Sequence, residues 1–283
     1  MAFLELDIRT LMRALVLGNL VAMAMVFAYK SPGNHVVPMR QFVLSRLFQA
    51  VGFCLLSQRG EIPLWLSAHV GNPLLFSGFS LEMLAVARLC ESRLHMEKPL
   101  AAWAIAGSLT FWSLGSTPSL LVVIASATGA VIYAMGGVGL LAASRRSRLQ
   151  RLTGLIYLGF CPILLLRSYL APTDNIGVMT SHMIQSIIYV TQFSLLLVGT
   201  VGFLLLMKES DDQLLRESEQ RERQRRMLQS NFIDMLTHEL RAALAVVKIS
   251  SSSLKCQLTD QPPEVTRRVD NIGRATDSMS ANV

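Results

Sequence analysis

Residues 184–229 read IQSIIYVTQFSLLLVGTVGFLLLMKESDDQLLRESEQRERQRRMLQ. From Ile184 to Met207 there is no charged residue, and the run is long enough for one α-helix to cross a hydrocarbon core of about 30 Å. From Lys208 the composition turns almost entirely polar, yet neither Pro nor Gly occurs between Lys208 and Gln257. Nothing in the backbone stops the helix where the membrane ends. Four acid-to-base pairs at i, i+4 support it: Asp212 with Arg216, Glu217 with Arg221, Glu219 with Arg223, and Glu222 with Arg226. Each adds about 0.2–0.5 kcal/mol. The stretch predicts a membrane span that continues as a long, largely polar helix, and such a helix needs a partner to bury its apolar positions.

Upstream, the chain is greasier than a soluble domain can bury. Of its 283 residues 52% are hydrophobic and 16% charged, with a mean hydropathy of +0.43. A purely soluble enzyme is excluded. Apolar runs occur at Leu11–Tyr29, Phe42–Leu56, Leu64–Ala87, Leu100–Leu114, Leu120–Ala143 and Leu152–Leu170, with Ile184–Met207 the seventh. The second and fourth are the shortest. The first follows Glu5, Asp7 and Arg9 without a clear cleavage site and reads as a retained span. The expected fold is all-α: a polytopic membrane helix bundle of about seven spans over residues 1–207, a signalling helix over 208–229 and a helical hairpin over 230–283.

Residues 1–207 carry 14 Lys and Arg against 7 Asp and Glu, whereas 208–283 carry 12 of each. The basic excess behind the pI of 9.6 therefore sits between apolar runs, where it faces anionic membrane lipid rather than nucleic acid. With seven spans and the C-terminus in the cytoplasm, the inner loops hold Lys30, Arg40, Arg88, Arg93, Lys98, Arg145, Arg146, Arg148 and Arg151. Arg9, Arg13, Arg59 and Arg167 fall outside. This distribution follows the positive-inside rule and puts the N-terminus outside. The four cysteines, Cys54, Cys90, Cys161 and Cys256, lie too far apart for a disulfide framework or a zinc site, and no metal is expected.

Polar groups at membrane depth are candidates for function by default: Arg46, His69, Asn72 and Glu82. The plainer reading of each is an interhelical hydrogen bond or a snorkelling side chain. Ser126, Gly129, Gly136 and Gly139 read as close helix contacts, and the Gly136–Gly139 run lacks the Lys and Ser/Thr of a phosphate-binding loop.

Beyond the signalling helix, Leu228, Phe232, Leu236, Leu240 and Leu244 recur every fourth residue. His238 lies two residues from Leu236 and Leu240, so at 100° per residue it points away from that stripe and toward water. After Thr259, Asp260, Gln261, Pro262 and Pro263, a second stripe of Val265, Val269, Ile272, Thr276 and Met279 predicts an antiparallel returning helix. Two such hairpins, one from each chain of a homodimer, close a four-helix bundle.

The segment Asn231–Leu244, with Phe232, Thr237, His238, Glu239, Leu240, Arg241 and Leu244 in register, resembles the phosphoacceptor motif of bacterial sensor histidine kinases in their dimerisation and histidine-phosphotransfer (HisKA) domain. The resemblance covers about Gln229 to Val283. It implies a transferase of a two-component system in the bacterial inner (cytoplasmic) membrane. His238 attacks the γ-phosphorus of ATP, Glu239 assists as general base, and the phosphoryl group passes to an aspartate of a response regulator. The residue types suit that chemistry: a neutral imidazole is a nucleophile at cytoplasmic pH, and an adjacent carboxylate can take up its proton. The membrane part resembles multi-span input modules of such kinases and of cyclic-dinucleotide synthases, through Asp7–Thr10 and Arg59–Trp65.

Two departures qualify the resemblance. Ala242 and Ala243 replace the family's Thr or Asn and the following Pro. Ala242 cannot orient a water for dephosphorylating the regulator, so weak phosphatase activity is expected, and the missing Pro predicts a straighter helix. No nucleotide-binding motif occurs, so ATP is expected to be bound by a catalytic domain supplied in cis or in trans. The competing expectation is a non-catalytic seven-helix receptor or scaffold whose bundle only dimerises and binds partners.

Overall fold

A computed structural model describes residues 7–29, 35–92, 94–114, 117–143, 147–173, 183–257 and 263–282. Among them the secondary structure is helical throughout: α1 (Ile8–Ala28), α2 (Val36–Ser57), α3 (Gly71–Leu89), α4 (Glu97–Leu114), α5 (Pro118–Leu141), α6 (Arg148–Thr173), α7 (Met183–Gln257) and α8 (Pro263–Asn282). A π-helical turn, Trp65–Val70, leads into α3. Asp7 caps α1 by accepting from the backbone N–H groups of Arg9 and Thr10. Thr117 caps α5, with Pro118 opening that helix. The chain divides into two compact units, Met1–Gln213 and Leu214–Val283.

In the first unit, cross-contacts sort the helix ends into two sets. At one end Arg9 of α1 bonds Glu61 and the Arg59 carbonyl in the turn after α2, and the Trp112 indole of α4 donates to the His69 carbonyl before α3. At the other end His35 lies 3.3 Å from Asp211, Ser92 donates to the Gly139 carbonyl at 2.9 Å, and Ser147 donates to Glu209 at 2.8 Å. Helices α1, α3, α5 and α7 therefore run one way, and α2, α4 and α6 the other.

The outer surface of this unit is apolar. Leu17, Phe27, Ile105, Leu109, Leu155 and Tyr169 are all exposed, as lipid-facing residues must be. Five helices are long and apolar enough to cross a membrane: α1, the Trp65–Leu89 stretch, α5, α6 and the start of α7. The protein is a multi-pass helical membrane protein. Helices α2 and α4 do not meet that measure, although they are 22 and 18 residues long and run between the same two ends. The reason is visible in α2: Ser45, Arg46 and Gln49 point inward and are buried, while Leu44, Leu47 and Val51 point outward. Its polarity is interior, so hydropathy averaged along the helix conceals its apolar outer face.

The second unit holds the end of α7 and the returning α8, held side by side by a 2.7 Å ion pair between Lys248 and Asp277, with Ser251 and Thr276 buried. Two of the expected i, i+4 pairs are formed on α7, Glu217 with Arg221 at 3.7 Å and Glu222 with Arg226 at 3.6 Å. Residues 259–262 of the expected turn lie outside the described residues, as do Lys30, Arg93, Arg145 and Arg146 of the inner loops.

Candidate functional site

Four polar side chains meet in the interior of the first unit. Arg46 and Gln49 are one helical turn apart on α2, Glu82 faces them from α3, and Tyr157 from α6. Arg46 donates to Glu82 Oε1 at 2.8 Å and to Gln49 Oε1 at 3.2 Å. Gln49 donates to Glu82 Oε2 at 2.8 Å, and the Tyr157 hydroxyl donates to Glu82 Oε1 at 3.0 Å. Both carboxyl oxygens of Glu82 have hydrogen-bond partners, and the Arg46 and Glu82 side chains are only 1% and 2% exposed. A pair this deep is tolerable because charge and hydrogen bonds are matched together. The backbone permits the approach: a Cβ on Gly78 of α3 would lie 2.8 Å from Gln49 Cγ. Helix α7 meets the cluster with Gly199, where a Cβ would lie 2.9 Å from both Glu82 Oε1 and the Tyr157 hydroxyl.

Toward the Arg9 end, a cavity of about 70 Å³ lies between α2, α3, α5, α6 and α7. Phe53, Phe76, Phe79 and Phe160 supply much of its wall, and Asn72, Arg167 and Gln192 its polar groups. The Tyr133 hydroxyl on its margin accepts from Gln192 Nε2 at 3.1 Å, and the Tyr133 ring stacks on Tyr157 with centroids 5.8 Å apart. An aromatic stack thus joins the cavity wall to the Arg46–Glu82 pair.

Of the four membrane-depth residues singled out in the sequence, the fold joins Arg46 to Glu82, puts Asn72 on the cavity with its amide donating to the Ala68 carbonyl, and sets His69 apart. The His69 ring packs edge-on against Phe111 and Trp112. Because α6 continues to Thr173, Arg167 is a bundle residue, 7% exposed, rather than an outer-loop cation. Gly136 is a close contact, since a Cβ there would overlap Met83 Sδ at 2.1 Å. Gly129 lines the cavity, and Ser126 accepts from Arg167 at 3.4 Å. Gln49, Tyr157, Tyr133, Gln192 and Gly199 carried no sequence signal beyond the spacing of Gln49, three residues after Arg46.

In the second unit His238 and Glu239 lie on the outside of α7, both exposed, with Thr237 half-buried beside them. Phe232, Leu236 and Leu240 are also exposed, at 57%, 42% and 52%. The Ala242 and Ala243 positions continue the helix, which runs unbroken to Gln257. No family model matches the chain, and neither a curated protein nor a solved structure matches it.

Proposed function

We propose that this protein is a membrane sensor histidine kinase of a two-component system, whose seven helices span the bacterial inner membrane and whose hairpin carries the phosphoacceptor His238. The observation that carries the reading is the Thr237–Arg241 motif on an unbroken helix, with an accessible imidazole beside a carboxylate and a returning helix behind it. ATP must bring its γ-phosphorus in line with an imidazole nitrogen, and a regulator aspartate must then reach the same atom, so an open position is what the chemistry requires. Glu239 takes up the imidazole proton as the N–P bond forms and the bond from the γ-phosphorus to the bridging oxygen breaks, releasing ADP. The exposed Phe232, Leu236 and Leu240 form the seam for a second copy, and two hairpins make a four-helix bundle. ATP is held by a catalytic domain acting in cis or in trans. The basic inner loops and the inverted polarity of α2 support seven spans with the C-terminus in the cytoplasm.

Incubation of the full chain in lipid nanodiscs with ATP and a separate histidine-kinase catalytic domain tests the reading. Acid-labile, base-stable phosphate that is absent from His238→Gln is expected, followed by transfer to a response-regulator aspartate. Absence of label on the wild-type chain would favour a receptor or scaffold that only binds partners. The Ala242→Thr variant is expected to gain regulator dephosphorylation, because a hydroxyl one turn beyond the histidine can orient a water.

A further inference from the structure

We propose that the cavity between α2, α3, α5, α6 and α7 binds a compact lipophilic carboxylate, held through Arg167. A guanidinium cannot shed its proton and must find compensation when it is buried. Arg46, elsewhere in the bundle, has a carboxylate at 2.8 Å. Arg167 is also buried, 7% exposed, yet its partners are neutral: the Ser126 hydroxyl at 3.4 Å and Tyr189, which shares a side-chain hydrogen bond with it and whose ring centroid is 6.0 Å from Cζ. Its Nε is buried without a hydrogen-bond partner, as is that of Arg46, but whereas Arg46 has Glu82, none of the residues lining the cavity around Arg167 is acidic. The cavity therefore offers an intramembrane cation, with a donor unused, to an anion that the described part of the chain does not provide. A carboxylate fits the planar guanidinium fork better than a single-point acceptor does.

Size and lining narrow the class. By the same measure a water occupies about 10–15 Å³, so 70 Å³ admits roughly five water-sized spheres, too few for a long acyl chain or a nucleotide. Phe53, Phe76, Phe79 and Phe160 favour an apolar body, while the Asn72 and Gln192 amides offer further hydrogen bonds. The ligand is a short aliphatic or single-ring monocarboxylate. It would rest against Tyr133 and hence against the stack that leads to Tyr157 and Glu82.

Binding is read on the full chain in lipid nanodiscs without ATP, so the result is independent of whether His238 accepts phosphate. The probes are butyrate, hexanoate and benzoate, with butyramide and benzamide as neutral counterparts and dodecanoate as a membrane-partitioning control. At least one short acid is expected to raise the melting midpoint in a saturable way and to give a calorimetric isotherm, while its amide does neither. Arg167→Gln should weaken that affinity about tenfold or more, the loss expected for a charge-assisted hydrogen bond. Gly129→Leu, placed where a Cβ would meet only Leu164 at 3.5 Å, should fill the space and abolish binding. The proposal is overturned if no short acid binds at millimolar concentration, if an amide binds as well as its acid, or if dodecanoate alone acts. Unchanged affinity in a folded Arg167→Gln protein has the same force. Because the acid and amide are compared on the native chain, the test survives a variant that fails to fold.

Discussion

The interior of the first unit and the surface of the second invert each other. Around Arg46 the polar side chains are inside and joined by hydrogen bonds, and the exposed apolar residues of α2 and α6 are chiefly leucine and valine. Along the end of α7 the composition is largely polar, yet Phe232, Ile233, Leu236 and Leu240 stand exposed on it. An exposed leucine therefore means two things in one chain. In lipid it is at rest, whereas in water a regular stripe of such residues lacks a partner. The first unit turns most of its polar groups inward; the second leaves an apolar stripe that the proposed dimer would cover.

The sharpest way to break this contrast is to remove one half of the buried pair. Glu82→Ala leaves Arg46 uncompensated and should destabilise the detergent-solubilised chain by about 3–5 kcal/mol in thermal or denaturant unfolding, whereas replacing Arg46 and Glu82 together by Met should recover most of the loss. A single variant as stable as wild type would contradict the buried pair. On the other side, Leu240→Asp should weaken self-association by about 1.5–3 kcal/mol, read by light scattering of the full chain, without lowering the melting point of the first unit. Unaltered dimer affinity would remove Leu240 from the seam.

Smaller changes sharpen the comparison. Gly199→Leu forces α7 away from Glu82 and Tyr157 and should cost about 1–3 kcal/mol, with Gly199→Ala costing less. Lys248→Ala breaks an ion pair whose side chains are largely exposed, so hairpin stability should change by no more than about 1 kcal/mol. The smallest effect belongs to Asp7. Hydrogen bonds, chiefly from the Thr10 hydroxyl, hold its carboxyl below the ordinary carboxylate range. A lowered folded pKa gives stability that is present above the unfolded value and fades as pH falls through the folded one. Amide exchange in the first turn of α1 should therefore quicken at acid pH in wild type, and Asp7→Asn should remove that dependence.

Much of the helical plan was legible because apolar runs and Pro or Gly punctuation act locally. Arg46 and Glu82 could be singled out because a charge in an apolar run is conspicuous. Their partners could not be found in the same way. Tyr157 and Tyr133 look like ordinary packing aromatics until α5 and α6 come together, and Gly199 acts through what it lacks. Arg167 lay inside the Leu152–Leu170 run, but only the fold shows that it is buried in the bundle near the end of α6. Helix α2 looked short because its interior face carries Arg46 and Gln49, so the feature that marks its importance also lowered its hydropathy. The spacing of Phe232, Leu236, His238 and Leu240 could be read directly, because period and residue type suffice to define a stripe.

Gly199 has a mechanical consequence. A step of about 100° around the α7 axis, the angle between neighbouring residues, would swing Val198 or Thr200 into the space beside the Glu82 carboxylate. The glycine thus acts as a keyway, with the carboxylate as its key. Rotation of α7 is obstructed at that level by Glu82 and Tyr157.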